Sequence, residues 1–182
     1  KIPAADRTHA EEIEAARLSN DQLLIVLEAD KALALMHEDG SAVALPEALA
    51  QTRADMRQVA ARLSRAQVDP TTQAIEEDIL AALEEMIGVL QRAMDQRADR
   101  RRLRTRSQSG SPQEEPLVDQ LSELKMIRSL QMRINRRTER YAQLLDNKAA
   151  ESGELLDALR QLAQRQAEIH RIARDLDLGR NE

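Results

Sequence analysis

Residues 154–177 read ELLDALRQLAQRQAEIHRIARDLD, and the apolar side chains of this stretch recur at alternating steps of three and four residues. Steps of this size bring side chains to one face of an α-helix and form the seam of a coiled-coil-like pair. The seam positions are Leu155, Leu159, Leu162, Gln166, Ile169, Ala173 and Leu176. All of them except Ala173 make up our candidate interaction seam.

Gln166 is the polar exception in this seam. A single polar residue at such a position often fixes the register or the number of partners, at some cost in stability. The alternative is that Gln166 lies at the edge of a broader apolar face. The sequence leaves both interpretations open.

The composition of the 182-residue chain extends the helical prediction to the whole sequence. It has no Phe or Trp, one Tyr, 5 Gly and 5 Pro, while 42% of its residues are hydrophobic. Sheet proteins rely on aromatic and β-branched residues and on frequent turn residues, so a sheet fold is disfavoured. We therefore predict an all-α fold of long antiparallel helices, or helical hairpins, with coiled-coil-like packing.

Local signals place the ends of five helices. Thr8 and Glu11 have the spacing of a capping box, Gly40 is a helix stop, and Asp69-Pro70 reads as a cap followed by a first helical residue. The predicted helices cover about 7–38, 46–67, 70–104, 116–151 and 154–177, with Gly179 as the last stop. We expect residues 1–104 to hold three N-terminal helices, 105–115 to form a flexible polar linker and 116–182 to form a C-terminal helical hairpin, together in one packed unit.

The first three helices carry more apolar surface than one helix contact can cover. Residues 23–27 are apolar on all sides of the first helix, so we expect burial on several faces, in a bundle or at an oligomer contact. The second seam is Leu49, Thr52, Met56, Val59, Leu63 and Ala66, and the third is Ile75, Ile79, Leu83, Met86 and Leu90, with Ile87 and Met94 alongside. A partner chain would cover what this short chain leaves exposed.

Charge is distributed unevenly along the chain, whose net charge is −5. Residues 1–90 carry 8 Lys or Arg against 17 Asp or Glu, and residues 91–182 carry 19 against 15. The candidate basic patch contains Arg97, Arg100, Arg101, Arg102, Arg104 and Arg106, together with Arg133, Arg136, Arg137 and Arg140. Such arginines would suit phosphate groups, but the aromatic residues that stack on bases are missing apart from Tyr141. Solvated helix ends and salt bridges between helices are the simpler explanation.

Patterns typical of enzymes are missing from the sequence. His9, His37 and His170 are far apart, and none has the spacing that places two metal ligands on one helical face. The sequence contains no Cys, no glycine-rich phosphate loop and no nucleophile elbow. We therefore predict no enzymatic activity, no catalytic or metal-binding residue and no cofactor.

Residues 116–141, PLVDQLSELKMIRSLQMRINRRTERY, have a wide apolar face and an Arg-rich face. This segment resembles helical segments of uncharacterised bacterial envelope-associated proteins. The resemblance implies a periplasmic or envelope-associated location. The sequence begins at Lys1 rather than Met, so we expect that an upstream segment was removed, for which a signal peptide or an anchor is one candidate.

Taken together, these patterns predict a non-enzymatic helical interaction or scaffold protein that self-associates or binds a helical partner through leucine-rich seams. The alternative is an electrostatic binder of nucleic acid or anionic membrane through the candidate basic patch. No stretch of the chain approaches the ~20 apolar residues that cross a bilayer, so no transmembrane segment is predicted.

Overall fold

The computed structural model describes residues 8–104, 117–146 and 152–178, and this part of the chain contains five α-helices and no strand. The helices are α1 (His9–Asp39), α2 (Ala44–Leu63), α3 (Pro70–Arg104), α4 (Gln120–Asp146) and α5 (Ser152–Asp177). The all-α prediction is confirmed. The predicted linker 105–115, the stop at Gly179 and the last five residues predicted for the fourth helix lie outside the described residues.

Contacts along the chain divide it into two units. Of the described residues, the first unit contains 8–39 and 46–104, and the second contains 40–45, 117–146 and 152–178. The first unit is therefore α1, most of α2 and α3. The second unit is the antiparallel pair α4 and α5 with the short segment that follows α1.

The predicted capping box at the start of α1 is confirmed. The Thr8 N–H donates to Glu11 Oε2 at 2.8 Å, and the Glu11 N–H donates to Thr8 Oγ1 at 3.3 Å. Such reciprocal bonds satisfy backbone donors that have no partner in the first turn of a helix. At the other end of α1, Gly40 has a φ of 63°, which glycine adopts without strain.

The ends of α2 differ from the prediction of a helix over 46–67. The helix begins earlier, where Glu123 Oε2 accepts the N–H groups of Val43 and Ala44 at 2.9 and 2.6 Å, all three residues belonging to the second unit. It ends earlier because Ala66 has a left-handed φ of 53° and therefore leaves the predicted seam. The Gln67 N–H donates to the Arg62 carbonyl and the Ala66 N–H to the Leu63 carbonyl, which is the bonding of a Schellman motif.

Asp69 caps α3 as predicted and also holds a buried arginine. Its Oδ1 accepts the Thr72 N–H at 3.0 Å, and its two carboxylate oxygens accept from Arg62 Nη2 at 3.0 and 2.9 Å. Arg62 Nε also donates to Thr72 Oγ1 at 2.8 Å. Burial raises the pKa of Asp69, but the Thr72 N–H and the Arg62 guanidinium outweigh it and hold the pKa below its ordinary value.

The fourth helix begins at Gln120 rather than at the predicted Pro116, because Asp119 is its cap. The Ser122 N–H donates to Asp119 Oδ1 at 2.9 Å, and Ser122 Oγ donates to Oδ2 at 3.0 Å. These bonds lower the pKa of Asp119. The residues before the cap are held differently, since the Leu117 N–H donates to Ser41 Oγ at 2.6 Å within the second unit.

Three polar contacts fix α1 against α2 in the first unit. Ser19 Oγ donates to the Ala60 carbonyl at 2.8 Å, and the Asp30 carboxylate lies 2.5 Å from Arg53 Nη1 and 3.3 Å from Arg57 Nη2. The earlier residue of α1 contacts the later part of α2, and the later residue of α1 contacts the earlier part of α2. The two helices are therefore antiparallel.

The buried side chains of the first unit include a line of residues along each helix. They include Ala15, Val26, Ala29 and Leu33 of α1, Leu49, Thr52, Met56, Val59 and Leu63 of α2, and Ile75, Ile79, Ala82, Met86 and Val89 of α3. The α2 line contains the predicted seam up to Leu63. On α3 the line differs, because Ala82 and Val89 are buried whereas the predicted Leu83 and Leu90 are only half-buried.

The bonds of Asp69 predict a pH-dependent contribution to stability. Because its pKa is lower in the folded chain, the stabilisation is complete above the unfolded pKa of about 3.9 and is lost as the pH falls through the folded pKa. Asn is also a good cap, so Asp69→Asn removes mainly the charge facing Arg62. We expect this variant to be less stable by about 1–2 kcal/mol at pH 7, with the difference shrinking as the pH falls through the lowered pKa of Asp69.

Urea unfolding from pH 7 to pH 2.5 measures this difference. Glu84→Gln, at an exposed position of the same helix, is the control and should stay within about 0.5 kcal/mol of the original chain. A destabilisation by Asp69→Asn that is equal at every pH would contradict the account.

Candidate protein interaction surfaces

The pair α4 and α5 is joined at its exposed edge by two amide side chains. Gln131 Nε2 donates to Gln166 Oε1 at 2.7 Å, and Gln166 Nε2 donates to Gln131 Oε1 at 2.8 Å. Farther along α4, Thr138 shares a groove with Leu159, which precedes Gln166 on α5. The two helices are therefore antiparallel, in the register that these contacts define.

That groove has a volume of about 450 Å³ and is open to solvent. It is lined by Ile134, Asn135, Thr138, Glu139, Leu159, Leu162, Ala163 and Gln166. Glu139 is the one ionisable side chain of this lining. An open groove with this lining suits an apolar side chain better than a reaction that needs several titratable groups.

The candidate interaction seam on α5 is largely buried within the chain. Leu155, Leu162, Ile169 and Leu176 are each exposed by 5% or less. Leu159 is half-buried, and Gln166 is exposed at the edge of the face while it pairs with Gln131. The buried members of the seam are therefore already packed and are not available as a free surface.

The candidate basic patch is also divided by burial. Arg133 and Arg137 on α4 are buried, whereas Arg136 is exposed and Arg140 is half-buried. On α3, Arg97 is half-buried and Arg100 and Arg102 are exposed, with Arg102 lying 3.8 Å from Asp99. The side chains of Arg101 and Arg104, and all of Arg106, lie outside the described residues.

The three histidines are exposed and lie on different helices or helix ends, with His9 Nδ1 3.8 Å from Glu12. Within residues 8–104, 117–146 and 152–178, no group of three or more His, Asp or Glu side chains is placed to hold a metal ion. In the same ranges, no helix combines the length and apolar character needed to cross a membrane.

Large apolar side chains form a second, exposed stripe on α1. We call Ile13, Leu24, Leu27 and Leu35 the outer face of α1; they lie on the side of the helix opposite its buried residues. Within residues 23–27 only Val26 is buried, although burial on several faces was predicted. Packing in the chain thus covers one face of α1 and leaves the other to solvent.

A second exposed stripe lies on α3. Leu80, Ile87 and Met94 are exposed by 60%, 52% and 69%, and they recur every seven residues. Leu83 and Leu90 lie between them and are half-buried. We call these five residues the outer face of α3. Glu76 is half-buried one helical turn before Leu80, and burial raises its pKa.

The outer face of α3 has a signal in the sequence. The prediction placed Ile87 and Met94 beside the α3 seam without assigning them a surface, and it omitted Leu80. The seven-residue spacing from Leu80 to Met94 is the pattern that identifies this stripe.

Comparisons with protein-family models, with curated proteins and with solved structures find no match for this chain.

Two leucines of α5 offer a direct test of the burial pattern. Leu162→Asp places a charge where the side chain is 5% exposed, and we expect it to lower the free energy of unfolding by about 3–5 kcal/mol. Leu156→Asp is the matched control, since Leu156 is 53% exposed and the change should cost less than about 1 kcal/mol. Thermal or urea unfolding of both variants measures the difference, and equal costs would mean that the buried face of α5 is misassigned.

Proposed function

We propose that this chain is a non-enzymatic helical interaction protein that self-associates through the outer faces of its long helices. The observation that supports this function is the pair of exposed apolar stripes, one on α1 and one on α3. Single exposed leucines are ordinary on protein surfaces, whereas aligned ones form a patch of the kind that marks interaction sites.

The inner lines of the same two helices explain why the outer faces need a partner. Each helix already packs one line of side chains, such as Ala15 and Val26 on α1 or Ile79 and Met86 on α3, against its own unit. The most exposed outer residues, such as Leu24 on α1 and Ile87 on α3, lie on other sides of the helices and are not covered by that core. Burying them against another helix would contribute roughly 25 cal/mol for each Å² of apolar surface removed from water.

The spacing of the outer residues favours a helical partner over other kinds of ligand. A seven-residue repeat keeps side chains on one line along a helix, where a second helix can interdigitate with them. The repeat from Leu80 through Ile87 to Met94 extends over about four helical turns and gives that line its length.

The alternative, an electrostatic binder of nucleic acid or anionic membrane, has less support. A phosphate group would have to reach Arg133 and Arg137, which are buried, so the cluster on α4 offers fewer arginines than its sequence suggests. The two functions also differ in their response to salt. Association of apolar faces persists or strengthens at high salt, whereas phosphate binding weakens steeply.

We further propose a periplasmic or envelope-associated location in a bacterium. The support is the resemblance of residues 116–141 to helical segments of envelope-associated proteins. Fractionation of source cells tests the location independently of the binding activity, and recovery in the cytoplasmic fraction alone would contradict it.

Sedimentation velocity at micromolar concentration tests self-association. We expect a mass above that of one protomer at about 0.15 M salt and also at about 1 M salt, where the attraction between exposed charges is screened much more strongly. The double variant Leu24→Glu with Ile87→Glu adds a charge to each outer face at exposed positions, so it should shift the protein to monomer without loss of helicity.

The control is Ala61→Glu with Ala81→Glu, which adds the same charge at exposed positions away from both outer faces. This variant should associate like the original chain. A strict monomer at every concentration, or association that the outer-face variant leaves unchanged, would refute the proposed function.

A further inference from the structure

The outer face of α3 has the geometry of one side of a coiled coil. Leu80, Ile87 and Met94 occupy one position of the heptad, and Leu83 and Leu90 occupy the other. Arg97 continues the second series one heptad after Leu90 and is half-buried. The apolar stripe is thus centred on Ile87 and Leu90 and is followed by an arginine at its C-terminal end.

Charge on α3 is segregated about the same centre. Residues 70–87 contain five acidic residues and no Lys or Arg, and residues 88–104 contain six Arg against two Asp. The net charges of the two halves are therefore −5 and +4. A parallel, in-register pair of α3 helices would place like charges together, whereas an antiparallel pair places each acidic half against a basic half.

We propose that a second copy of this chain binds the outer face of α3 in antiparallel orientation, about a twofold axis between Ile87 and Leu90. The proposal rests on the self-association described above and assigns it to one surface and one direction. In this register Ile87 packs on Leu90 of the second copy, and Leu83 packs on Met94 of the second copy. The twofold axis repeats each contact, as a closed dimer requires.

The ends of the pairing are polar. Leu80 meets Arg97 of the second copy, whose aliphatic stem covers the leucine while its guanidinium reaches toward Glu76 and Glu77. Exposed ion pairs contribute little to affinity and exchange easily, so the pairing does not require that Arg97 be free in the single chain. Their role is to select the antiparallel orientation and this register.

The outer face of α1 does not offer a second copy the same match. His9–Asp39 contains eight acidic residues against one Arg and one Lys, spread over both halves of the helix. Pairing α1 with itself would oppose acidic residues in either direction. Charge complementarity therefore distinguishes α3 as the self-pairing helix.

Disulfide trapping tests the orientation, because the chain contains no Cys of its own. Leu83→Cys and Met94→Cys are prepared as separate single variants, mixed and oxidised under mild conditions. A disulfide needs Cα atoms about 4.4–6.8 Å apart, which the proposed register provides between these two positions. Two copies of either variant alone would hold their thiols 11 residues, or about 16 Å, apart along the axis.

We expect the mixed disulfide to exceed either homodimer by at least about tenfold, since the homodimers violate the disulfide distance. Circular dichroism of each variant checks that helicity is kept. An excess of the Leu83→Cys homodimer would indicate parallel pairing and would overturn the proposal.

A charge-reversal pair tests the basis of the register. Glu76→Arg with Glu77→Arg places basic residues near Arg97 and Arg100 of the second copy, and Arg97→Glu with Arg100→Glu places acidic residues near Glu76 and Glu77 of the second copy. Each double variant should self-associate at least about tenfold more weakly, corresponding to about 1.4 kcal/mol. A 1:1 mixture should recover the original association, because the new arginines of one variant then face the new glutamates of the other, and the unchanged ends face each other as before. Failure of the mixture to recover association would count against the proposal.

The outcomes separate this proposal from the proposed function. If the original chain self-associates but no mixed disulfide forms, the α3 pairing is wrong and self-association through another face stands. If the original chain is monomeric at every concentration, both are wrong, and the outer face of α3 binds a partner other than a second copy or none.

Discussion

A long helix with apolar residues on two faces can bury both faces only against two neighbours. In the first unit, packing within the chain covers one such face of α1 and of α3. On α1 the buried face is built largely from small residues such as Ala15, Ser19 and Ala29, which allow close approach of α2. Larger residues, Leu24 and Leu35 among them, face away and stay in water. The packing of α1 within the chain therefore uses one of its apolar faces, and the remaining apolar surface is available for the association that we propose.

The second unit shows what the same chain does when a helix has one dominant apolar face. The buried residues of α5 lie on a single stripe that includes Leu155, Leu162 and Ile169. Its edge is closed by the amide pair of Gln131 and Gln166, which holds α4 and α5 in one register. The α5 seam is therefore structural in this chain, and the surfaces available for binding lie mainly on α1 and α3.

Much of the fold could be predicted because local signals mark the helix ends. Thr8, Gly40 and the Asp69-Pro70 step each act through bonds or dihedral angles of neighbouring residues, which a sequence records directly. The end of α2 was missed because Ala66, which lacks the freedom of glycine, adopts a left-handed conformation. The proposed interaction surfaces were predicted less well, because tertiary packing decides which apolar face of a helix is buried and whether arginines such as Arg133 and Arg137 are buried.

We propose that apolar surface left exposed on the first unit, above all the outer face of α3, is buried between chains. Urea unfolding at two protein concentrations a hundredfold apart measures this directly, since association that favours the folded state raises stability by mass action. The account predicts that the unfolding midpoint rises with concentration, and that the rise disappears in the Leu24→Glu, Ile87→Glu variant. A midpoint independent of concentration in the original chain would contradict it.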